Sequence, residues 1–253
     1  MQGGHATSEV SIGSTEPGKG APARLGPLVH RIVHRGAIVW IVAAVQFVIA
    51  MAIVQAGWSA PPTYSLAHNY ISDLGNTACG SWPHATSPRI CSPWHDVFDA
   101  SSVVLGILTV LGALLVRSAF PRRGSTTVGL ALIILGGIGA AGVGLSPENV
   151  DLTVHTLSAA IAFILGNLAL VVLGFAMFRD TRWNGYRAYS MLSGLWGLVA
   201  FVLFYTGHYL GIGVGGMERM IVAPLLLWLV VCSVHLLRVP QYAPSKIPGA
   251  SGG

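Results

Sequence analysis

Six long apolar stretches constrain the fold of this chain more than any other feature of its sequence. A helix needs about 20 consecutive apolar residues to cross the hydrocarbon core of a bilayer. Six segments reach this length without a Lys or Arg in their middle third. They span approximately residues 36–57, 97–116, 127–146, 154–177, 188–208 and 217–237. We therefore predict an all-α, polytopic bundle of six transmembrane helices.

The composition agrees with a membrane protein and excludes several other classes. Hydrophobic residues make up 53% of the chain and charged residues 9%, whereas soluble globular domains carry roughly a quarter charged residues. A disordered chain, an ordinary soluble enzyme and a protein that binds nucleic acid through a basic tail are therefore excluded. We expect membrane lipids as partners and no nucleic acid. The sequence identifies neither a protein partner nor a cofactor.

Two polar tails flank a single membrane domain. Residues 1–27 are rich in Gly, Ser, Thr, Ala and Pro, and residues 239–253 have a similar composition. Such segments bury too little apolar surface to fold, so we predict that both tails are disordered. Residues 28–238 then form the six-helix domain, in which residues 58–96 make one long connection between the first two spans.

The distribution of Lys and Arg predicts the orientation of the bundle. The N-terminal segment, the connections after spans two and four, and the C-terminus together hold 12 of the 14 Lys and Arg residues. Positive charges close to span ends stay on the cytoplasmic side. Both termini are therefore predicted to be cytoplasmic, in a multi-pass protein of the bacterial plasma membrane.

The acidic residues gather at the opposite, outer side. Six of the nine Asp and Glu residues lie there or at the outer membrane boundary, namely Asp73, Asp96, Asp99, Glu148, Asp151 and Glu218. The positive-inside rule does not require this second asymmetry, because acids contribute little to topology. The outer loops either carry the remaining polarity of the chain or build an outward-facing polar site.

The long outer connection contains two cysteines, Cys79 and Cys91. In the predicted topology this loop faces an oxidising compartment, which favours a disulfide between them. The alternatives are two reduced thiols or a metal site that also uses His84. Eleven intervening residues do not match a standard zinc spacing. The spacing therefore favours the disulfide and predicts no metal.

The same loop carries a polar segment at residues 64–75. If this segment forms a short amphipathic or re-entrant helix, Asn69 and Asp73 are four residues apart and share one face of it. The alternative is that Asp73 caps a turn, which the following Gly75 and Asn76 support. Either arrangement keeps the carboxylate of Asp73 at the outer membrane boundary.

Four further polar residues lie at span ends on the outer side. His155 lies about one turn inside span four, His208 ends span five, and Glu218 and Arg219 open span six. An ionisable residue inside a membrane is a functional candidate by default, although a His close to a helix end is also a common interfacial group. Arg219 either snorkels to the interface or pairs with an outer carboxylate or an anionic headgroup.

Three of these segments together resemble the DUF998 family. The residues that carry the resemblance are Asn69-Tyr-Ile-Ser-Asp-Leu-Gly75, then Ser146-Pro-Glu148 followed by His155, then Glu218-Arg219 followed by Pro224-Leu-Leu-Leu-Trp228. The resemblance covers about residues 36–238. One departure is Ser146-Pro147, where the family more often has Phe-Pro. The family comprises six-span bacterial and archaeal membrane proteins of unknown function, and the resemblance implies that the three segments meet at the outer face.

These residues suggest an outward-facing polar pocket that binds or processes a lipid or another amphiphile. The candidate catalytic residues are Asp73, His155 and Glu218, which could supply acid–base groups. The candidate ligand-binding residues are Asn69, Asp73, Glu148, His155, His208, Glu218 and Arg219. The sequence contains no GxSxG and no HExxH motif. Whether the protein is an enzyme is therefore left open.

Three other functions remain as alternatives. In a non-catalytic scaffold, the outer charge network would only fix the packing of the bundle. A transporter is disfavoured, because the span centres are apolar apart from Gln46, Asn167 and small hydroxyl residues. A haem-binding electron carrier could use His155 with His208, or His34 with His235, as ligands, although histidines at span ends are more often interface residues.

Overall fold

The computed structural model describes residues 26–58, 63–81 and 89–238. The predicted disordered tails lie outside these ranges, apart from Gly26 and Pro27. His84, the possible metal ligand, also lies outside the described residues. Everything that follows concerns the described residues.

Six long helices account for most of the described chain, so the predicted all-α six-span bundle is confirmed. They are α1 (Pro27–Ala56), α2 (His95–Val116), α3 (Gly124–Leu145), α4 (Leu152–Ala176), α5 (Tyr186–Tyr205) and α6 (Gly213–Arg238). Each is long and apolar enough to cross a membrane. Two short 3-10 turns, Arg117–Ala119 and Thr181–Trp183, occupy the connections after α2 and α4.

The helix bounds agree with the apolar stretches to within three residues, except that α6 begins four residues early and α1 begins nine residues early. This helix begins at Pro27 rather than near residue 36. Proline suits a first helical position, because its missing N–H would have no partner inside the helix. The added turns carry Arg31 and Arg35. Hydropathy alone does not detect such a polar extension, which continues the helix beyond the bilayer core.

The helices form a ring of five with one helix outside it. Each helix packs against the next along the chain, and α6 contacts α1 and also α4 directly. This α4–α6 contact closes the ring of α1, α2, α3, α4 and α6. It leaves α5 packed on the outer side of α4 and α6, where most of its apolar surface is exposed.

Glycines bring α3 very close to its neighbours. A Cβ added to Gly106 of α2 would lie 2.3 Å from the carbonyl oxygen of Gly137, and one added to Gly139 would lie 2.7 Å from the backbone nitrogen of Ala162. Small residues at such positions allow helix backbones to pack in direct contact. These close approaches hold α3 between α2 and α4.

The two ends of the bundle differ in what they carry. One end, which we call the site end, holds the C-termini of α1, α3 and α5 and the N-termini of α2, α4 and α6. The described residues of the connection between α1 and α2 lie here, and a disulfide joins Cys79 to Cys91 beside a backbone bridge between Gly80 and Ile90. The opposite end, which we call the basic end, carries the connections after α2 and α4 with their arginines.

The segment predicted as a short amphipathic or re-entrant helix does not form one. Its regular part is a single 3-10 turn, Ser72–Gly75. The side chain of Asp73 accepts a hydrogen bond from the backbone N–H of Tyr70. Such local side-chain bonds compete with the helical hydrogen-bond ladder, which explains why a tight turn forms instead.

Candidate functional site

Asp73 is the most deeply buried acidic residue at the site end. Its relative exposure is 0%, and its Oδ2 accepts hydrogen bonds from Asn69 Nδ2 at 2.8 Å and from the backbone nitrogen of Tyr70 at 3.0 Å. The 3-10 turn places all three groups on one side of the loop. The carboxyl group therefore holds the turn together from inside.

Glu148 reaches the same turn from the connection between α3 and α4. Its Oε2 accepts from Ser72 Oγ and its Oε1 accepts from Asn76 Nδ2, each at 2.8 Å. Glu148 also lies within hydrogen-bonding reach of the Asp73 carboxyl group. The negative charge of Glu148 therefore disfavours ionisation of the neighbouring Asp73.

The protonation of Asp73 responds to this environment. Burial and the neighbouring charge of Glu148 raise the pKa of Asp73 from 3.8 to about 7, and the hydrogen bond from Asn69 opposes the shift. The Asp73 carboxyl group therefore keeps its proton to a higher pH than an exposed aspartate does.

Glu218 joins the site from the first turns of α6. Its Oε2 accepts from the backbone nitrogen of Ile71 at 2.5 Å, and the residue is 6% exposed. The loop can approach α6 this closely because of Gly215, where an added Cβ would lie 2.0 Å from the carbonyl oxygen of Asn69. We call Asp73, Glu148 and Glu218 the carboxyl cluster.

Arg219 follows Glu218 but points to different partners. Its guanidinium donates to the carbonyl oxygens of Leu66, Asn69 and Gly215 and to the hydroxyl oxygen of Tyr64. No ion pair joins it to a carboxylate within the described residues. The loop carbonyls, rather than the expected carboxylate, satisfy its charge. Burial raises the pKa of Tyr64 well above its usual value despite the nearby guanidinium, so this hydroxyl stays neutral.

His155 lies beside the cluster on α4, and His208 does not. His155 is 7% exposed, and its Nδ1 lies 2.8 Å from the carbonyl oxygen of Ser146. Asp151 caps the start of α4 by accepting a hydrogen bond from the backbone nitrogen of Val154. His208 is exposed on the turn between α5 and α6, where its Nδ1 contacts Thr206.

A narrow cavity begins at these residues and continues into the bundle. Its volume is about 80 Å³, which is room for roughly five water molecules or a short length of alkyl chain. Ser72, His155 and Glu218 line it at the site end. Apolar residues from α1, α2, α3, α4 and α6 line most of the remainder, including Phe47, Leu105, Val143, Phe163 and Val222.

Asn167 marks the inner part of the cavity. It is 1% exposed, and its Nδ2 donates to the carbonyl oxygens of Phe163 and Ile221. A buried amide that is bonded across two helices stabilises their packing. Asn167 therefore ties α4 to α6 at the depth where α5 covers them from outside.

The histidines proposed as haem ligands at the other end are surrounded by aromatic rings. His235 lies 4.7 Å from Trp183 and 5.3 Å from Tyr186, measured between ring centroids. His34 packs against His30 at 5.2 Å. The space beside the His235 ring is thus filled by protein side chains. In the described ranges, no group of three or more His, Cys, Asp or Glu residues has the geometry of a metal site.

Several residues of the site were not singled out by sequence reasoning. Ser72, Asn76 and Tyr64 bond directly to members of the predicted set. The available signal was their position: all three lie within or beside the polar segment that contains Asp73. Nothing in the local sequence indicates that the backbone of Ile71 would bond a side chain 147 residues away.

The comparison with protein families assigns the chain to a known group. The family model DUF998, described as a protein of unknown function, matches residues 41–235. The matched range includes all three segments on which the resemblance rested. The chain therefore belongs to the DUF998 family. No curated protein and no solved structure matches it.

Proposed function

We propose that this DUF998 protein binds an amphiphile, such as a lipid, in an outward-facing pocket at the site end. The polar head of the ligand lies against Ser72, His155 and Glu218, and its apolar part enters the cavity between the helices. Asn69, Asp73, Glu148 and Arg219 hold the loop that forms the mouth of the pocket.

The observation that carries this proposal is the cavity itself. Polar groups lie at one end of it, and a mainly apolar wall continues from them into the bundle. Ligand sites are concave, mostly apolar and furnished with a few polar groups that fix orientation. A molecule with a polar headgroup and an apolar tail matches such a lining better than a wholly polar solute does.

The outward orientation rests on the charge distribution. Arginines mark the basic end, and the described site end carries only Arg89 and Arg219. The positive-inside rule then assigns the basic end to the cytoplasm and the site end to the outside. A ligand would reach the pocket from the outer leaflet or from the outer aqueous phase.

The candidate catalytic residues divide into two groups. His155 and Glu218 line the cavity and would touch a bound molecule. Asp73 is buried behind the turn and acts through Glu148 and the loop. If the pocket processes its ligand, His155 and Glu218 are the acid–base groups, and Asp73 is a positioning residue.

A second candidate function is a scaffold whose outer network is purely structural. A specific observation favours it: most hydrogen bonds of Asp73, Glu148 and Arg219 go to the loop and not to the cavity. This network joins the loop to α6 and to the connection before α4. A scaffold predicts stability effects from the network and no bound ligand.

Native mass spectrometry of the purified protein separates the two functions. The pocket predicts an amphiphile that remains bound to the wild type and is lost in Ala159→Phe, because Ala159 lines the cavity. The matched control is Ala52→Phe, the same change on the exposed face of α1, which should keep the ligand. Equal occupancy in all three folded proteins, or no bound amphiphile in the wild type, would contradict the pocket.

A further inference from the structure

The polar groups at the mouth of the cavity share one property: each offers an acceptor. Ser72 Oγ donates its only proton to Glu148 Oε2. Its lone pairs are what remain for a ligand. The hydroxyl group of Ser72 therefore faces the cavity as a hydrogen-bond acceptor.

His155 presents an acceptor for a different reason. A carbonyl oxygen can only accept, so the 2.8 Å contact with Ser146 O requires the hydrogen on Nδ1. In the neutral ring, Nε2 then carries a lone pair. Among the described residues, no hydrogen bond reaches this Nε2. A histidine that is more than nine-tenths buried and lines the cavity thus keeps one nitrogen available to a ligand.

Glu218 adds a carboxyl group, which carries a negative charge once it has lost its proton. Its Oε2 is occupied by the N–H of Ile71, and no other described residue donates to its Oε1. The neighbouring Arg219 does not offer its guanidinium to a ligand here, because this group already donates hydrogen bonds to three carbonyl oxygens and to Tyr64. The mouth of the cavity is therefore a set of three acceptors, and one of them, the Glu218 carboxyl group, becomes an anion when it loses its proton.

We propose that the ligand is an amphiphile with a primary ammonium head. This inference rests on the proposed pocket and names the chemistry of its ligand. A primary ammonium carries a positive charge and three N–H donors, which match Ser72 Oγ, His155 Nε2 and Glu218 Oε1 in number and in sign. An apolar tail on the same molecule packs against the apolar side chains that line the cavity beyond them.

Other common heads fit this mouth poorly. A phosphate or carboxylate would bring its own negative charge and further acceptors to three groups that offer acceptors. A trimethylammonium has the charge but no N–H. An alcohol has one donor and no charge. Since hydrogen bonds to charged groups are the stronger ones, we expect the primary ammonium to bind about tenfold more tightly than each of these, or better.

Titration calorimetry in phosphatidylcholine nanodiscs tests this choice, because that lipid carries no primary amine. The titrants are octylammonium, octyltrimethylammonium, octanol and octyl phosphate, which differ only in their heads, together with ethylammonium, which lacks the tail. Each titration is repeated with Ala159→Phe, whose blocked cavity corrects for partitioning into the bilayer. Glu218→Gln, which keeps the shape and removes the charge, should erase the preference. The comparison of titrants needs only the wild type if that variant does not fold.

The outcomes distinguish this inference from the proposed pocket. If octylammonium binds most tightly and this binding is lost in Ala159→Phe, both the pocket and the ammonium headgroup are supported. Tightest binding of the phosphate, the alcohol or the trimethylammonium, again lost in Ala159→Phe, overturns the ammonium head and leaves the pocket intact. Ethylammonium binding as tightly as octylammonium overturns the amphiphile. If no titrant distinguishes the wild type from Ala159→Phe, both proposals fail.

Discussion

Two aspartates at opposite ends of the bundle show how differently the ends are built. At the basic end, burial raises the pKa of Asp180, but hydrogen bonds and the charge of Arg182 outweigh it and hold that pKa below its usual value. At the site end, burial and Glu148 raise the pKa of Asp73 to about 7. The basic end neutralises its acid with a cation, whereas the site end places acids against one another.

The same contrast appears in the packing. Behind the basic end, Trp183 is 0% exposed, stacks on Phe120 at 5.0 Å and contacts His235 and Tyr186. At the site end the centre is a cavity with polar groups at its mouth. Aromatic packing holds one end of the helices together, so the other end can keep an opening at its centre. The comparison suggests that stability and binding are largely separated along the bundle axis.

The largest expected effect comes from breaking the aromatic end. Trp183→Ala removes a fully buried ring and should lower the free energy of unfolding by about 3–5 kcal/mol. Denaturant unfolding in mixed micelles measures the loss. If the ends are separate, the surviving folded protein keeps its ligand preference. A changed preference would show that the two ends are coupled.

The next largest effect should come from Arg219→Met, which keeps the length of the side chain and removes its hydrogen bonds. Two loop carbonyls, the Gly215 carbonyl of α6 and Tyr64 lose their donor, so we expect a loss of about 3 kcal/mol. Hydrogen exchange should speed up in residues 64–76 above all. Unchanged exchange in that segment would contradict the role of Arg219 as the loop anchor.

A pH titration of stability sharpens the contrast between the two aspartates. The folded pKa of Asp73 is raised above the ordinary value of 3.8, so the folded state holds a proton that the unfolded state has lost. Its contribution is therefore full below about pH 4 and is lost as pH rises through about 7. We expect the free energy of unfolding to fall by a few kcal/mol across this window. Asp73→Asn should flatten the curve, and an unchanged slope in this variant would be inconsistent with the assignment.

The smallest effect is expected at the matched arginine of the basic end. Arg182→Met removes a 2.5 Å ion pair with Asp180 that lies within one short turn. Ion pairs of this partly exposed kind contribute about 1 kcal/mol or less. Unfolding should therefore change much less than in Arg219→Met. A larger loss at Arg182 would reverse the comparison between the ends.

The fold was predictable because its signal is local. Each span is indicated by its own run of apolar residues. The predicted orientation follows from the charges near each span end, without knowledge of tertiary contacts. The start of α1 was not predicted, because the first turns of this helix contain Arg31 and Arg35 and are not apolar. The turn at Ser72–Gly75 was less predictable, because it depends on which backbone groups the Asp73 side chain bonds.

The sequence indicated several of the residues that gather at the candidate site, but not the hydrogen bonds that they make. Scarcity of charge indicated Asp73, Glu148 and Glu218, and the structure groups them around one turn. Arg219 was expected either to snorkel to the interface or to pair with a carboxylate or a headgroup, yet it bonds to carbonyl oxygens, two of which come from the loop folded against α6. His208 is close to Glu218 along the chain, but the turn after α5 leaves it exposed. Such outcomes depend on tertiary contacts that a single sequence does not encode locally.

Photo-crosslinking tests the central claim most directly. An octylammonium analogue with a diazirine in its chain is bound to the protein in nanodiscs, irradiated, and mapped by peptide mass spectrometry. The account predicts adducts on cavity residues such as Ala159, Phe163 and Val222, which excess octylammonium should suppress. Adducts confined to lipid-facing residues of α5 such as Leu192 and Val199, unaffected by the competitor, would contradict a pocket within the bundle.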